Sequence, residues 1–257
     1  MKKNIIEINN LSHNFGGIQA IKNISFNISK GELVGLIGPN GCGKSTTFNC
    51  LSGLLKPSKG DIFINGKNIT NLRPDQIQKL GMTRTFQHTR LWKEMSVIEN
   101  ILVSENNQFS PNLIKSLFLP NSRPEEKRRI DKALDLLNRL GVSKVANNLA
   151  ENISGGQSKL VDIARAMMSE PDIILLDEPV AGVANNLAEK IFSYLRNLVD
   201  EMDTTIIVIE HNMDFILRTD VDKIIVMNMG EVLMEGNSDD VRKNKSVTEA
   251  YLGSQNE

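Results

Sequence analysis

Cysteine is scarce in this chain of 257 residues: there are two, Cys42 and Cys50, and their spacing fits no zinc-binding pattern. One of them lies inside a glycine-rich loop, so a reducing, cytoplasmic setting is the simpler expectation. An excess of charge of one sign is missing too, because 30 basic against 31 acidic side chains leave a net charge of −1. No global field would gather such a chain onto DNA or RNA, and nucleic acid is not an expected partner. Long apolar runs are absent: stretches such as Ile173–Leu176 fall far short of the roughly 20 residues needed to span a bilayer. The opening MKKNIIEINN lacks the apolar core of a signal peptide. A role at a membrane therefore has to run through a partner. Internal repeats and low-complexity tails are also lacking. What is present is a chain 40% apolar and 24% charged, able to bury a core as one large domain or two small ones.

Residues 5–37 read as short strands, with Ile24, Phe26 and Ile28 alternating and a turn at Lys30-Gly31-Glu32. LVGLI (33–37) is a continuous apolar run entering a glycine loop, as in a parallel strand buried on both faces. A helix is expected from Ser45 to Leu54, stopped near Gly53, and then a strand GDIFING turning at Asn65-Gly66. From about residue 87 to 165 the pattern changes to helices and polar loops, with a loop at Asn106–Pro120. Ser122 and Glu125 form a capping-box pattern ahead of Ile130, Ala133, Leu134, Leu137 and Leu140 at helical spacing, ended by Gly141. Lys127, Arg128, Arg129 and Lys132 on its other face could suggest a phosphate patch, but Glu126, Asp131 and Asp135 interleaved with them read as a solvated face. Strands return with DIILLDEP, TTIIVIEH and KIIVMNMG, separated by helical stretches at 185–202 and 212–219.

Gly38-Pro39-Asn40-Gly41-Cys42-Gly43-Lys44-Ser45-Thr46 satisfies G-x-x-x-x-G-K-S/T between a buried strand and a helix. Glycines let successive backbone N–H groups curl inward onto phosphate oxygens. Lys44 adds a point charge for the β- and γ-phosphates, and Ser45 is a candidate Mg²⁺ ligand. IILLDEP ends an apolar strand in Asp177, placed to hold a metal-bound water, and Glu178, placed to polarise the attacking water. Two acids ending a strand in solvent are the bland alternative, which the neighbouring phosphate loop disfavours. The Asn-Lys-x-Asp reader of a guanine nucleotide is missing, and a small-molecule kinase would need a lid that the sequence does not offer.

One stretch belongs to neither alternative: Ser154-Gly155-Gly156-Gln157 at the entrance of a second helix. Ser154 and Gln157 form a capping box, but capping does not call for two consecutive glycines, which cost about 1 kcal/mol each inside a helix. They make sense if something must approach the backbone closely.

With that motif the chain resembles the ATP-binding subunits of ATP-binding-cassette (ABC) transporters along nearly its whole length. The resemblance implies a P-loop NTPase of the ABC type within the α/β class. Its RecA-like parallel-sheet core and N-terminal antiparallel β subdomain would occupy 1–86 and 166–257, with a helical subdomain inserted at about 87–165. It implies that Phe15 stacks on adenine, that Gln87 senses Mg²⁺ and the attacking water, and that His211 contacts the γ-phosphate. Alone, Phe15 would read as a core residue, Gln87 as a loop amide and His211 as a satisfied core histidine. It further implies that Ser154, Gly155, Gly156 and Gln157 clasp the ATP of a second subunit, itself or a paralogue, in a head-to-tail dimer.

The segments TRTFQHTRLWKEMSVIENILV, IEHNMDFI and EAYLG are similar to those of branched-chain amino-acid importer ATPases. That implies integral membrane permease subunits as partners, an extracytoplasmic solute-binding protein acting indirectly, and a peripheral location on the inner face of the cell membrane. Leu91, Met95, Ile98 and Leu102 are expected to form one packed helical stripe, with a docking surface around His88–Glu94 that includes Trp92 and Lys93. Two departures stand out: Ala184, where the family places aspartate or asparagine, and Leu160, where an arginine is common. A soluble ABC-type ATPase of DNA repair, translation or iron–sulfur assembly is the rival. The chain lacks the coiled-coil or zinc insertions, second cassette and basic linkers that those relatives carry.

Overall fold

The computed structural model describes residues 3–85, 87, 89–104 and 123–253. The expected loop at Asn106–Pro120, the cap residue Ser122 and His88 of the docking surface lie outside the described residues. Contacts divide the chain into two compact units, one of residues 1–87, 172–179 and 195–257 and the other of 88–171 and 180–194.

The first unit carries two sheets. Strands β1 (Asn4–Phe15), β2 (Ile18–Ser29), β4 (Lys59–Ile64) and β5 (Lys67–Asn68) form an antiparallel sheet in the order β2-β1-β4-β5. In β2 the even-numbered apolar residues Ile24, Phe26 and Ile28 are buried while Ser25 and Asn27 are exposed, the alternation of a sheet with one wet face. Asn65 and Gly66 both take positive φ (51° and 77°), the demand of a two-residue hairpin between β4 and β5.

The second sheet runs β10-β9-β3-β8-β7-β6, built from β3 (Leu33–Ile37), β6 (Met82–Arg84), β7 (Ile173–Asp177), β8 (Thr205–Glu210), β9 (Lys223–Asn228) and β10 (Glu231–Gly236). All its pairings are parallel except that of β9 with β10. Every residue of β3, β7 and β8 is buried, which explains why these strands read as unbroken apolar runs. Helix α1 (Lys44–Leu51) follows β3, with Gly53 at φ 71° beyond its C-cap Ser52, and the short helix α2 (Pro74–Gln78) comes before β6. Phe48 of α1 joins Ile8, Ile62, Leu36 and Leu175 in the core of this unit.

The second unit packs α3 (Val97–Leu102), α4 (Arg123–Arg139) and α5 (Gly155–Met167) against one another. Two expectations fail here. Leu134 is exposed, and the buried face of α4 is Ala133, Leu136 and Leu137, with Leu140 buried just past its end. The stripe Leu91, Met95, Ile98, Leu102 is not one helical face either: α3 begins at Val97, capped by Ser96 and Glu99, and it buries Val97, Asn100 and Ile101. The local Ser-x-x-Glu cap overrides the apolar periodicity that runs through it.

Candidate functional site

The phosphate loop takes its shape from close backbone approaches that only glycine tolerates. At Gly38 (φ 152°) a Cβ would overlap the Met227 carbonyl oxygen of β9. At Gly43 (φ 108°) it would lie 2.7 Å from the Ala20 carbonyl oxygen of β2. The turn between β9 and β10 holds the loop from the other side: the Gly230 N–H donates to the Cys42 carbonyl at 3.1 Å, and the Gly230 carbonyl accepts from the Lys22 N–H at 2.7 Å. Gly41, Asn40 and Ser45 remain exposed at the rim, with Pro39 and Thr46 half-buried. Lys44 is 6% exposed, and its ammonium donates to the Gly38 and Pro39 carbonyls at 2.6 and 2.9 Å. Burial pushes the Cys42 thiol up in spite of that ammonium, so the loop cysteine stays a packing residue.

Phe15 ends β1 half-exposed at 50%, its ring meeting His13 edge-on with centroids 4.6 Å apart. It is therefore not a core phenylalanine, and its face is available to a planar ligand.

Three polar side chains from separate segments meet at the end of β7. Gln87 Nε2 donates to Glu178 Oε2 at 2.7 Å, and His211 Nδ1 lies 3.8 Å from Glu178 Oε1. Glu178 has φ 49°, a left-handed conformation rare for a residue with a side chain and concentrated at functional sites. Its N–H is held by the Ile209 carbonyl of β8 at 3.1 Å. Asp177, one residue earlier, accepts through Oδ2 from Arg84 Nη2 at 2.9 Å. Among the described residues no three His, Cys, Asp or Glu side chains gather as a metal cage. Ser45 and Asp177 suit a hard cation that takes few protein oxygens and completes its shell from phosphates and water.

A chain with this phosphate loop, this carboxylate pair and a second glycine-opened helix invites one comparison. The sequence profile described as ABC transporter matches residues 21–181. The chain belongs to the ABC transporter family. As a member it is an ATP-hydrolysing transporter subunit that binds ATP. It is 38% identical over 254 residues to the high-affinity branched-chain amino acid transport ATP-binding protein LivG of Escherichia coli K12, covering 98% of this chain and 99% of that protein. It also resembles a crystal structure of the ADP conformation of an ATP-binding cassette of an ABC transporter, at TM-score 0.85 and 37% identity, covering 98% and 100% of the two chains. A dimeric structure of a bacterial ABC transporter cassette matches at TM-score 0.73 and 30% identity over 91% and 98%.

In this ABC chain the element Ser154–Gln157 opens α5. The Ser154 hydroxyl accepts from the Gln157 N–H at 3.3 Å, and the Ser154 N–H donates to Gln157 Oε1 at 2.9 Å. The two glycines differ. A Cβ on Gly156 would overlap Leu187 Cδ2, so that glycine has a packing partner within its own unit. A Cβ on Gly155 would meet nothing within 4 Å. Ala184 directly precedes the helix Asn185–Met202 (α6), and its carbonyl accepts from Leu187 and Ala188 at 2.9 and 3.0 Å. Leu160 is buried.

Sequence reading missed three residues. Arg84 is described above. Asn100, fully buried, grips the loop before α3: its Oδ1 accepts from the Trp92 N–H at 2.7 Å, and its Nδ2 donates to the Trp92 and Ser96 carbonyls, each at 3.0 Å. Arg165 holds the buried Asp162, donates to the Arg90 carbonyl at 2.8 Å and places its guanidinium 5.8 Å from the Trp92 ring centre. Trp92, Lys93 and Glu94 stay exposed on this support. For Asn100 and Arg165 the available signal was a polar residue interrupting an otherwise apolar helical face.

Proposed function

We propose that this chain is the ATPase of a branched-chain amino-acid importer, and that the meeting of Gln87, His211 and Glu178 is its catalytic centre. The identity to LivG supports the solute class, and the proximity of those three side chains supports the chemistry. Glu178 acts as general base on the attacking water, Gln87 orients that base, and His211 approaches the γ-phosphate. Lys44 and the loop N–H groups from Gly38 to Thr46 bind the phosphates, while Phe15 stacks on adenine. Ser45, Asp177 and Gln87 would hold Mg²⁺, which when bound neutralises phosphate charge in the transition state.

The exposed Gly155 backbone faces the terminal phosphate of ATP held by a second subunit, self or paralogue, so that hydrolysis and pairing depend on each other. Exposed Trp92, Lys93 and Glu94 dock a permease subunit on the inner face of the cell membrane. An extracytoplasmic binding protein delivers the solute. No helix among the described residues is long and apolar enough to cross a membrane, in keeping with attachment through partners.

The test is Glu178→Gln in the purified full-length chain, with its partner ATPase present. Turnover should fall by ~10²-fold or more, and an ATP-bound dimer should accumulate on a sizing column. A variant that hydrolyses ATP at the wild-type rate would refute the catalytic assignment. Uptake of leucine into vesicles carrying the whole assembly tests the solute class separately.

A further inference from the structure

Arg84 is the feature that the proposed roles leave unused. It closes β6, paired in parallel register with Leu175 of β7, two residues before Asp177. Its guanidinium is almost fully enclosed, the side chain being 9% exposed, and it lies 5.6 Å from the centre of the Phe48 ring. One arm, Nη2, donates to Asp177 Oδ2 at 2.9 Å. The other, Nη1, donates to Asn49 Oδ1 at 2.7 Å and to Ser52 Oγ at 3.1 Å. Asn49 lies on α1 and Ser52 is its C-cap, three residues on and so on the same face.

The geometry points to Arg84 as a positioning residue of the ATPase reaction, one that ties the Asp177 carboxylate to the helix carrying Lys44 and Ser45. The inference rests on the reading of Asp177 and Ser45 as the Mg²⁺ ligands. Those ligands come from different elements, the start of α1 and the end of β7. One rigid fork reaches both elements, committing Oδ2 of the carboxylate and leaving Oδ1 for a metal-bound water. A guanidinium spreads its donors over a rigid plane wide enough to span both elements, whereas an ammonium offers its three from a single atom on a freely turning stem. Net attraction for the cation is not what Arg84 contributes, since its own positive charge opposes a metal ion nearby. Its contribution is orientation, as with the outer partners of metal-binding carboxylates, whose loss typically costs about 10–100-fold in metal affinity or activity.

Arg84→Lys isolates this role, because it keeps the charge beside Asp177 and removes the fork. With the full-length chain and a non-hydrolysable ATP analogue, Mn²⁺ affinity measured by electron paramagnetic resonance should weaken about 10–100-fold. ATP affinity in EDTA should stay at the wild-type value, because the phosphate loop is untouched. In steady state the loss should appear in kcat and in the metal concentration needed for half-maximal rate, with the KM for ATP unchanged at saturating metal. Wild-type Mn²⁺ affinity in Arg84→Lys would overturn the inference, provided that Asp177→Asn weakens it. Should Asp177→Asn leave Mn²⁺ affinity intact, the metal-ligand reading itself fails, and the role of Arg84 falls with it. If Arg84→Lys does not fold, Asn49→Ala with Ser52→Ala keeps the Arg84–Asp177 pair and cuts the tether to α1. That double variant should weaken Mn²⁺ in the same direction, by less, and an unchanged value there would equally overturn the proposal.

Discussion

Gln87 Nε2 donates to Glu178 Oε2 at 2.7 Å, joining the loop after β6 to the residue after β7. This hydrogen bond engages one oxygen of the proposed base, while the other faces the His211 ring across 3.8 Å. Gln87→Ala should release the carboxylate to other rotamers. We expect kcat to fall about 10–100-fold, the size seen when the outer partner of a functional group is lost. ATP binding in EDTA should be unaffected. Steady-state kinetics beside a nucleotide-binding titration check both halves.

Gly155→Ala separates stability from function. The added methyl meets open space, and alanine in a helix is favoured over glycine by up to about 1 kcal/mol. The isolated chain should therefore melt slightly higher. If Gly155 faces a neighbour's phosphate, the same variant should lose ATP-dependent pairing and turnover. A higher melting temperature with intact turnover would sink the pairing role.

Ala184 occupies the N-cap of α6, where its side chain can accept no hydrogen bond. Ala184→Asp should stabilise the fold by about 0.5–2 kcal/mol, read from urea unfolding.

Burial pushes the Asp162 carboxyl above the usual carboxylate range, outweighing the attraction of Arg165 and Lys159. The folded state thus holds this proton more firmly than the unfolded chain, whose aspartates titrate near ~3.9. The stabilising contribution is complete below that value, is lost as pH rises through the folded pKa, and is level above it. Carboxyl-carbon chemical shifts across a pH titration should show a midpoint above ~3.9 for Asp162. A midpoint below it would mean that the ion pair, not burial, dominates.

Much of the parallel sheet was legible because β3, β7 and β8 are buried on both faces and announce themselves as apolar runs. Asn65-Gly66 was legible because few dipeptides accept two successive positive φ values. β6 escaped notice: three residues, Met82–Arg84, are too few for any periodicity, and its arginine looks like a surface residue until its three partners are seen. The start of α3 was misplaced because apolar spacing continues through a loop that Asn100 holds in shape. Phe15 read as a core residue from its neighbours in sequence, and its half-exposed ring at the end of β1 contradicts that. The nearness of Gln87, Glu178 and His211 depends on which strands lie side by side, and no local pattern carries that.

The hairpin of β9 and β10 bears on how the protein is made. Gly230 fastens Cys42 to β2 through Lys22, and the Met227 carbonyl crowds Gly38, so late residues mould an early loop. During synthesis the nucleotide cradle leaves the ribosome long before the segment that gives it form. Such distant pairing slows folding. The nascent chain should bind no ATP until β9 and β10 have emerged, and a protein cut short before them would carry the whole motif without its shape.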